Sequence, residues 1–172
     1  NEFQITGAAT ANVRRNFSST MVTNNVYCSF LVNCSALPAS QQFLLSLLRS
    51  GGTSASPPDD PLDVYVRTNG AGYSFTIRVV GSDPATSGAV LLTNTTHLIV
   101  IKYTFGTFGQ GSLFIDPLPG GVEPNPDISA APDDNVSPSN LQVLLFRSTA
   151  GQGTWNFDSM RVGTNWSDVV PV

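Results

Sequence analysis

The sequence predicts an all-β chain, a sandwich or barrel of many short strands, from three observations. Apolar residues recur with period two almost throughout, as half-buried strands require. Clusters of Gly, Pro, Asn and Asp interrupt these runs at regular intervals and supply turn chemistry. No stretch carries a convincing 3.6-residue period with caps. The 172 residues suit one domain, taken as 1–172, with room for roughly ten strands of ~5–6 residues plus turns.

Residues 1–12 read as an open terminal segment. In the first core strand, Val26, Cys28, Phe30, Val32 and Cys34 alternate with Tyr27, Ser29, Asn33 and Ser35. Leu62, Val64 and Val66 alternate with Asp63, Tyr65 and Arg67, and Tyr73, Phe75, Ile77 and Val79 with Ser74, Thr76 and Arg78. Between the last two runs, Asn69-Gly70-Ala71-Gly72 predicts a hairpin, because Asn-Gly accepts the positive φ of a tight reversal. The run at 98–105 is apolar on both faces apart from Lys102 and Thr104, so it belongs in mid-sheet, covered on both sides. A looser turn follows at 106–111. Further strands are expected at 41–48, 88–92, 112–116, 141–147 and 154–162. Trp155 and Phe157 share a core phase, and Trp166 clamps the terminal segment onto the body. Two loops, at 50–60 and 117–138, are long, and Ser137-Pro138-Ser139-Asn140 is able to start one helical turn.

Cys28 and Cys34 lie six residues apart in one strand, so their Cα atoms stand ~20 Å apart, beyond the ~7 Å reach of a disulfide. Both share the apolar phase and are expected to be small buried hydrophobes. Neither a second close metal ligand nor an activating base accompanies them.

Charged residues make up only 12% of the chain, net charge is −4, and Lys102 is the sole lysine. That balance offers no footprint for a phosphate backbone and excludes nucleic-acid binding. No apolar run reaches the ~18–20 residues of a membrane-spanning helix. The chain opens on Asn1-Glu2-Phe3 without the basic and apolar regions of a signal peptide. Abundant Gly, Ser, Thr and Asn with almost no lysine point to an extracellular or cell-surface location.

The order VYCSFLVN at 26–33, THLIVIKYTF at 96–105, SLFIDPLPGGVEP at 112–124 and FDSMRVGTNWSDVVP at 157–171 resembles bacterial secreted domains of the concanavalin A-like, laminin-G-like jelly-roll type. The resemblance spans residues 11–171, and its closing motif is the most specific part. It implies a two-sheet antiparallel jelly-roll β-sandwich, found in large extracellular polypeptides beside carbohydrate-active or adhesion domains. It gives fold more firmly than function.

Hydrolases on such a fold set two carboxylates across the glycosidic bond. This chain has only Glu2 and Glu123, at an open end and in a Pro-Asn-Pro loop, and nothing in the spacing of Asp63, Asp116 and Asp158 marks a pair. A polysaccharide lyase needs a base facing its groove. The single histidine, His97, sits at a strand entrance, where hydrogen-bonded packing is its ordinary role. No G-x-S-x-G elbow accompanies it.

Binding suits the composition better. Glycan-binding sandwiches stack sugars on aromatic faces and hold hydroxyls with Asn, Asp, Gln and Arg. Tyr27, Tyr65 and Arg67 share the polar phases of their strands and form a platform if those strands are neighbours; packing against a second sheet or loop is the alternative for each tyrosine. Laminin-G-like folds often carry a structural calcium, and the resemblance puts Asp158 at an acidic ligand position, against pairing with Arg161 or capping a turn. Asn-x-Ser/Thr sequons occur at Asn16, Asn33, Asn94, Asn135 and Asn165, acceptors only where the host glycosylates.

The leading expectation is a non-catalytic extracellular module that binds polysaccharide or serves a larger secreted protein. The alternatives are a structural or adhesive unit assembling through its strand edges, and a lyase using His97.

Overall fold

The computed structural model describes residues 2–8, 10–22, 24–52, 60–80, 84–130 and 140–172. It is a jelly-roll β-sandwich of two antiparallel sheets. The smaller runs in the order β1 (Phe3–Thr6), β13 (Thr154–Gly163), β3 (Asn25–Ala36), β9 (Thr96–Thr104), β10 (Gln110–Ile115), β11 (Ile128–Ala130). The larger runs β2 (Ala11–Met21), β12 (Leu141–Ser148), β4 (Gln42–Leu48), β5 (Leu62–Asn69), β6 (Gly72–Val79), β7 (Ala85–Thr86), and β8 (Leu91–Leu92) also pairs with β6.

Period-two alternation sends one side chain in two into the space between the sheets. Val26, Cys28, Phe30, Val32 and Cys34 of β3, all without exposure, meet Val64, Val66, Phe75 and Ile77 of the larger sheet in one core. Aromatic rings bridge the gap: Trp155 stands edge-on to Tyr73 at 5.0 Å, and Phe30 to Phe146 at 5.9 Å, spacings that favour ring pairs. The Trp155 indole N–H donates to the Gln152 carbonyl at 2.7 Å, and buried Gln152 donates to Phe43 O at 2.9 Å. Gly111 faces the larger sheet where the two approach closely; a Cβ there would stand 2.6 Å from Leu62 Cδ1.

Both cysteines are free and buried. Burial pushes both thiols up, Cys34 to about 11, so neither is poised as a nucleophile. The β5–β6 hairpin closes over Gly70-Ala71, with Asn69 paired to Gly72 and Gly70 supplying the positive φ of 61°.

The doubly apolar strand is central: β9 lies between β3 and β10. Ile99, Ile101 and Tyr103 point inward, while Leu98 and Val100 point outward into a second cluster with Tyr27, Phe114 and Trp166. That outer cluster is roofed by a short helix, α1 (Trp166–Val169). Trp166 packs edge-on to Phe114 at 4.9 Å and Tyr27 at 6.0 Å, and its indole donates to Gly121 O. Asp168 anchors the turn by accepting the Asn165 and Thr164 amides, which lowers its carboxyl below the usual range.

Three sequence expectations change. The described residues of the segment 1–12 are not open: β1 pairs with β13, Phe3 opposite Phe157, and β2 begins at Ala11. Nothing in ANVRRNFSSTM alternates, because an edge strand exposed on most positions has little to bury. The strand expected at 88–92 is two short pieces, β7 and β8, on β6. The loop at 117–138 contains β11. The helical turn expected at 137–140 lies, but for Asn140, outside the described residues, as does Asn135.

Replacing Trp166 with Ala should cost about 3 kcal/mol by unroofing Tyr27, Val100 and Phe114. Denaturant unfolding measures it, and a loss below the ~0.5 kcal/mol typical of surface changes would refute the clamp.

Candidate functional site

α1 roofs the Tyr27–Phe114 part of the smaller sheet's outer face, and the outer face of the larger sheet carries the polar strand phases, with Ser46, Asp63, Ser74 and Thr76 buried. Register sets a row across five strands: Arg14 opposite Leu145, Leu145 opposite Ser46, Ser46 opposite Asp63, Asp63 opposite Arg78. In the next row Tyr65 stands between Phe43 and Thr76, its ring edge-on to Phe43 at 5.6 Å. Arg67 follows opposite Ser74, exposed. Toward β12 the face is apolar, with Phe43, Leu48, Val143 and Leu145 clustered beside Tyr65. Four of the seven arginines, Arg14, Arg67, Arg78 and Arg147, fall in the outward phase.

Asp63 is the centre of the row and has no exposure. Its carboxylate accepts from Ser46 Oγ at 2.5 Å and from Tyr65 OH at 3.5 Å. Burial pushes its carboxyl up to about 7, and Asp60 adds to this by charge and by a shared hydrogen bond, while Ser46 and Tyr65 pull it down. Burial also pushes the Tyr65 phenol up. Arg78 Nε is buried with no hydrogen-bond partner among the described residues. The arrangement combines a near-neutral carboxyl, a phenol and a guanidinium on one sheet face. Asp60, three positions before Asp63 and ahead of the strand, carried no periodic signal of its role.

Of the three expected platform residues, Tyr65 and Arg67 share this face and Tyr27 does not. Tyr27 lies in the other sheet, 3% exposed beneath α1. Its hydroxyl donates to Glu123 at 2.7 Å, and Lys102, itself paired with Glu123 at 2.7 Å, sits 5.2 Å from its ring centroid. Sequence phase places a side chain on a face without saying which sheet owns that face.

His97 takes the inward phase of β9, with its ring 6.4 Å from Tyr73. Its Nδ1 lies 2.6 Å from Asp116 Oδ2, whose other oxygen accepts the Leu98 amide, and its Nε2 is buried without a partner among the described residues. The ring therefore faces the space between the sheets and not the outer face of the larger one. Asp63 belongs to the larger sheet, whereas Asp158 lies on β13 and Asp116 follows β10 in the smaller one.

Asp158 stands on the outer side of the smaller sheet at a β13 irregularity, where Ser159 has φ 53° and its amide donates to Asp158 Oδ1 at 2.6 Å. It lines a shallow hollow of about 280 Å³ with Glu2, Asn33 and Asn156. Among the described residues no three His, Cys, Asp or Glu side chains converge on a metal-sized site.

No protein-family model and no curated protein matches the chain. Among solved structures, an alginate lyase superposes with a TM-score of 0.61 at 10% identity over 94% of this chain and 79% of the other. An endo-β-1,4-glucuronan lyase from the fungus Trichoderma reesei gives 0.58 at 13% over 98% and 82%. The Emp46p carbohydrate recognition domain, in its metal-free form, gives 0.56 at 12% over 95% and 82%. At these identities the likeness shows the fold, a concanavalin A-like jelly roll.

Asp63 makes stability pH-dependent in a defined direction. The folded state keeps a proton on this carboxyl that the unfolded chain releases above its ordinary value of about 4. Asp63's contribution is therefore full below about pH 4, declines as pH rises toward 7, and is level above it. Asp63→Asn should melt progressively higher relative to the parent as pH climbs through this window. A melting-temperature difference that stays constant from pH 4 to pH 8 would refute the buried carboxyl.

Proposed function

We propose that the chain is a non-catalytic carbohydrate-binding module, extracellular or at the cell surface, serving a larger secreted protein. The fold supports this reading, since structures sharing it include a carbohydrate recognition domain and lyases of alginate and glucuronan. The observation that carries it is the outer face of the larger sheet, where Tyr65 and Arg67 stand two positions apart on β5 among outward arginines of a chain with net charge −4. An aromatic edge beside guanidinium forks suits a sugar bearing carboxylates, because guanidinium and carboxylate pair with two parallel hydrogen bonds. Oligouronates are the preferred ligand class. The lyase alternative through His97 draws no support from the inward ring. The structural or adhesive alternative draws support from β2, an 11-residue edge strand exposed over most of its length.

On a glycan array and by calorimetry, oligouronates should bind without forming unsaturated products. Tyr65→Ala and Arg67→Ala should each weaken binding by about tenfold, as loss of one stacking or charge-assisted contact does. Binding unchanged in both variants, or none to any polysaccharide, would overturn the reading.

A structural calcium at Asp158 belongs to the same proposal. Asp158, Glu2, Asn33 and Asn156 in one hollow offer oxygen donors of the kind calcium takes. A chelator should lower the melting temperature and added calcium should restore it; an identical melting curve in both conditions would rule the ion out.

A further inference from the structure

The two strands that end their sheets on the same side of the sandwich, β1 and β2, leave a groove between them. It has a volume of about 310 Å³ and is lined by Phe3, Val13, Phe146 and Met160 with Arg14 and Arg15, and it continues as a second hollow of about 190 Å³ past Ile5 and Ala11. Three observations bear on what fills it. First, among the described residues β2 pairs only with β12, so its other edge presents backbone donors and acceptors along 11 residues, a run of ~36 Å. Second, Val13 lies opposite Phe146 on the core-facing side of β2 and yet is 47% exposed: the sandwich is open here. The floor is already rigid, with Phe3 stacked on Phe157 at 5.1 Å and edge-on to Phe146 at 5.1 Å. Third, β2 bears two arginines and no acid in a chain of net charge −4. Alternation puts Arg15 on the groove side with Val13 and Arg14 on the outer side, opposite Leu145.

We propose that this edge binds an extended acidic segment of a partner protein, which adds to β2 as a further strand. A strand running antiparallel to β2 would place successive acidic residues opposite Arg15 and Arg14, then an apolar residue opposite Val13, whose side chain enters the groove. Backbone hydrogen bonds supply affinity and the alternate side chains supply selectivity. A second copy of the chain fits less well, because antiparallel β2–β2 pairing collects four arginines and no acid in one ribbon. A uronate polymer answers the arginines but leaves the backbone ladder and Val13 unmet.

The probe is a blocked peptide of roughly nine residues, threonine alternating with valine around a central Asp-Asp-Phe, added to the intact chain. Amide exchange over residues 11–21 should slow by about tenfold, and binding should weaken by about tenfold with added salt and in Arg15→Glu. Val13→Lys, also at a surface position, should abolish binding, whereas Tyr65→Ala should leave it unchanged. Peptide binding that is indifferent to Arg15→Glu and Val13→Lys, or unaltered exchange over 11–21, overturns the proposal. Protection that appears on raising protein concentration alone assigns the edge to a second copy, and protection by an alginate oligosaccharide but not by the peptide assigns it to glycan; either outcome also overturns it.

Discussion

The rest of the structure depends on the burial of β3 and β9 on both faces. A sheet with one dry face has its other face available for solvent or ligand. Here Val100, Leu98, Phe114 and Tyr27 make the second face of the smaller sheet apolar as well, and so it must be covered. α1 and the segment around Gly121 meet that need, held by Trp166, by Ser29 donating to Val169 O at 2.7 Å, and by Gly120 donating to Val170 O. The closing turn is thus part of the core's logic. Its consequence is local exclusion: the part of this face beneath α1 is closed, while the β13 end keeps the hollow beside Asp158.

The larger sheet's outer face contains the chain's least comfortable group. Placing a carboxyl at zero exposure costs solvation unless it is protonated or fully hydrogen-bonded. Asp63 has Ser46 and Tyr65 as donors and Asp60 as a competing acid, so proton uptake relieves part of the cost. Ser46, without exposure, also contacts Leu62 O at 3.2 Å, tying the site to the β4–β5 ladder. With Asp63 and Ser46 both fully buried, such a cluster holds this part of the sheet in one arrangement.

Much of this was legible in the sequence, and the parts that were not share a physical cause. β3, β5 and β6 announce themselves by alternating apolar residues, and β9 by a run apolar on both faces. β2 is invisible, since only Phe17 is buried in its eleven positions and its pairing is with backbone that has no sequence signal. The same limit explains the tyrosines. Tyr27 and Tyr65 have identical phase relations within their strands, yet one is sealed under a helix and the other borders an arginine-bearing face. What separates them is sheet membership, set by register between strands distant in sequence. Trp166 was readable as a clamp because a tryptophan after the last strand has to bury its ring somewhere.

The larger sheet's outer face, where Tyr65 and Arg67 reach solvent, and the β1–β2 edge offer different recognition chemistry. The larger sheet's outer face offers side chains, with guanidinium groups spread over strands whose backbone is already paired, so it can meet only a ligand's functional groups. The β1–β2 edge offers the reverse: backbone along β2 without a strand partner among the described residues, an apolar gap at Val13, and two adjacent arginines on opposite sides of one strand. A sugar polymer has no ladder of amides with which to complete that edge. The arginines present at both places do not tell them apart. Backbone hydrogen bonding does, and it is what separates the proposed polysaccharide on the face from the proposed polypeptide at the edge.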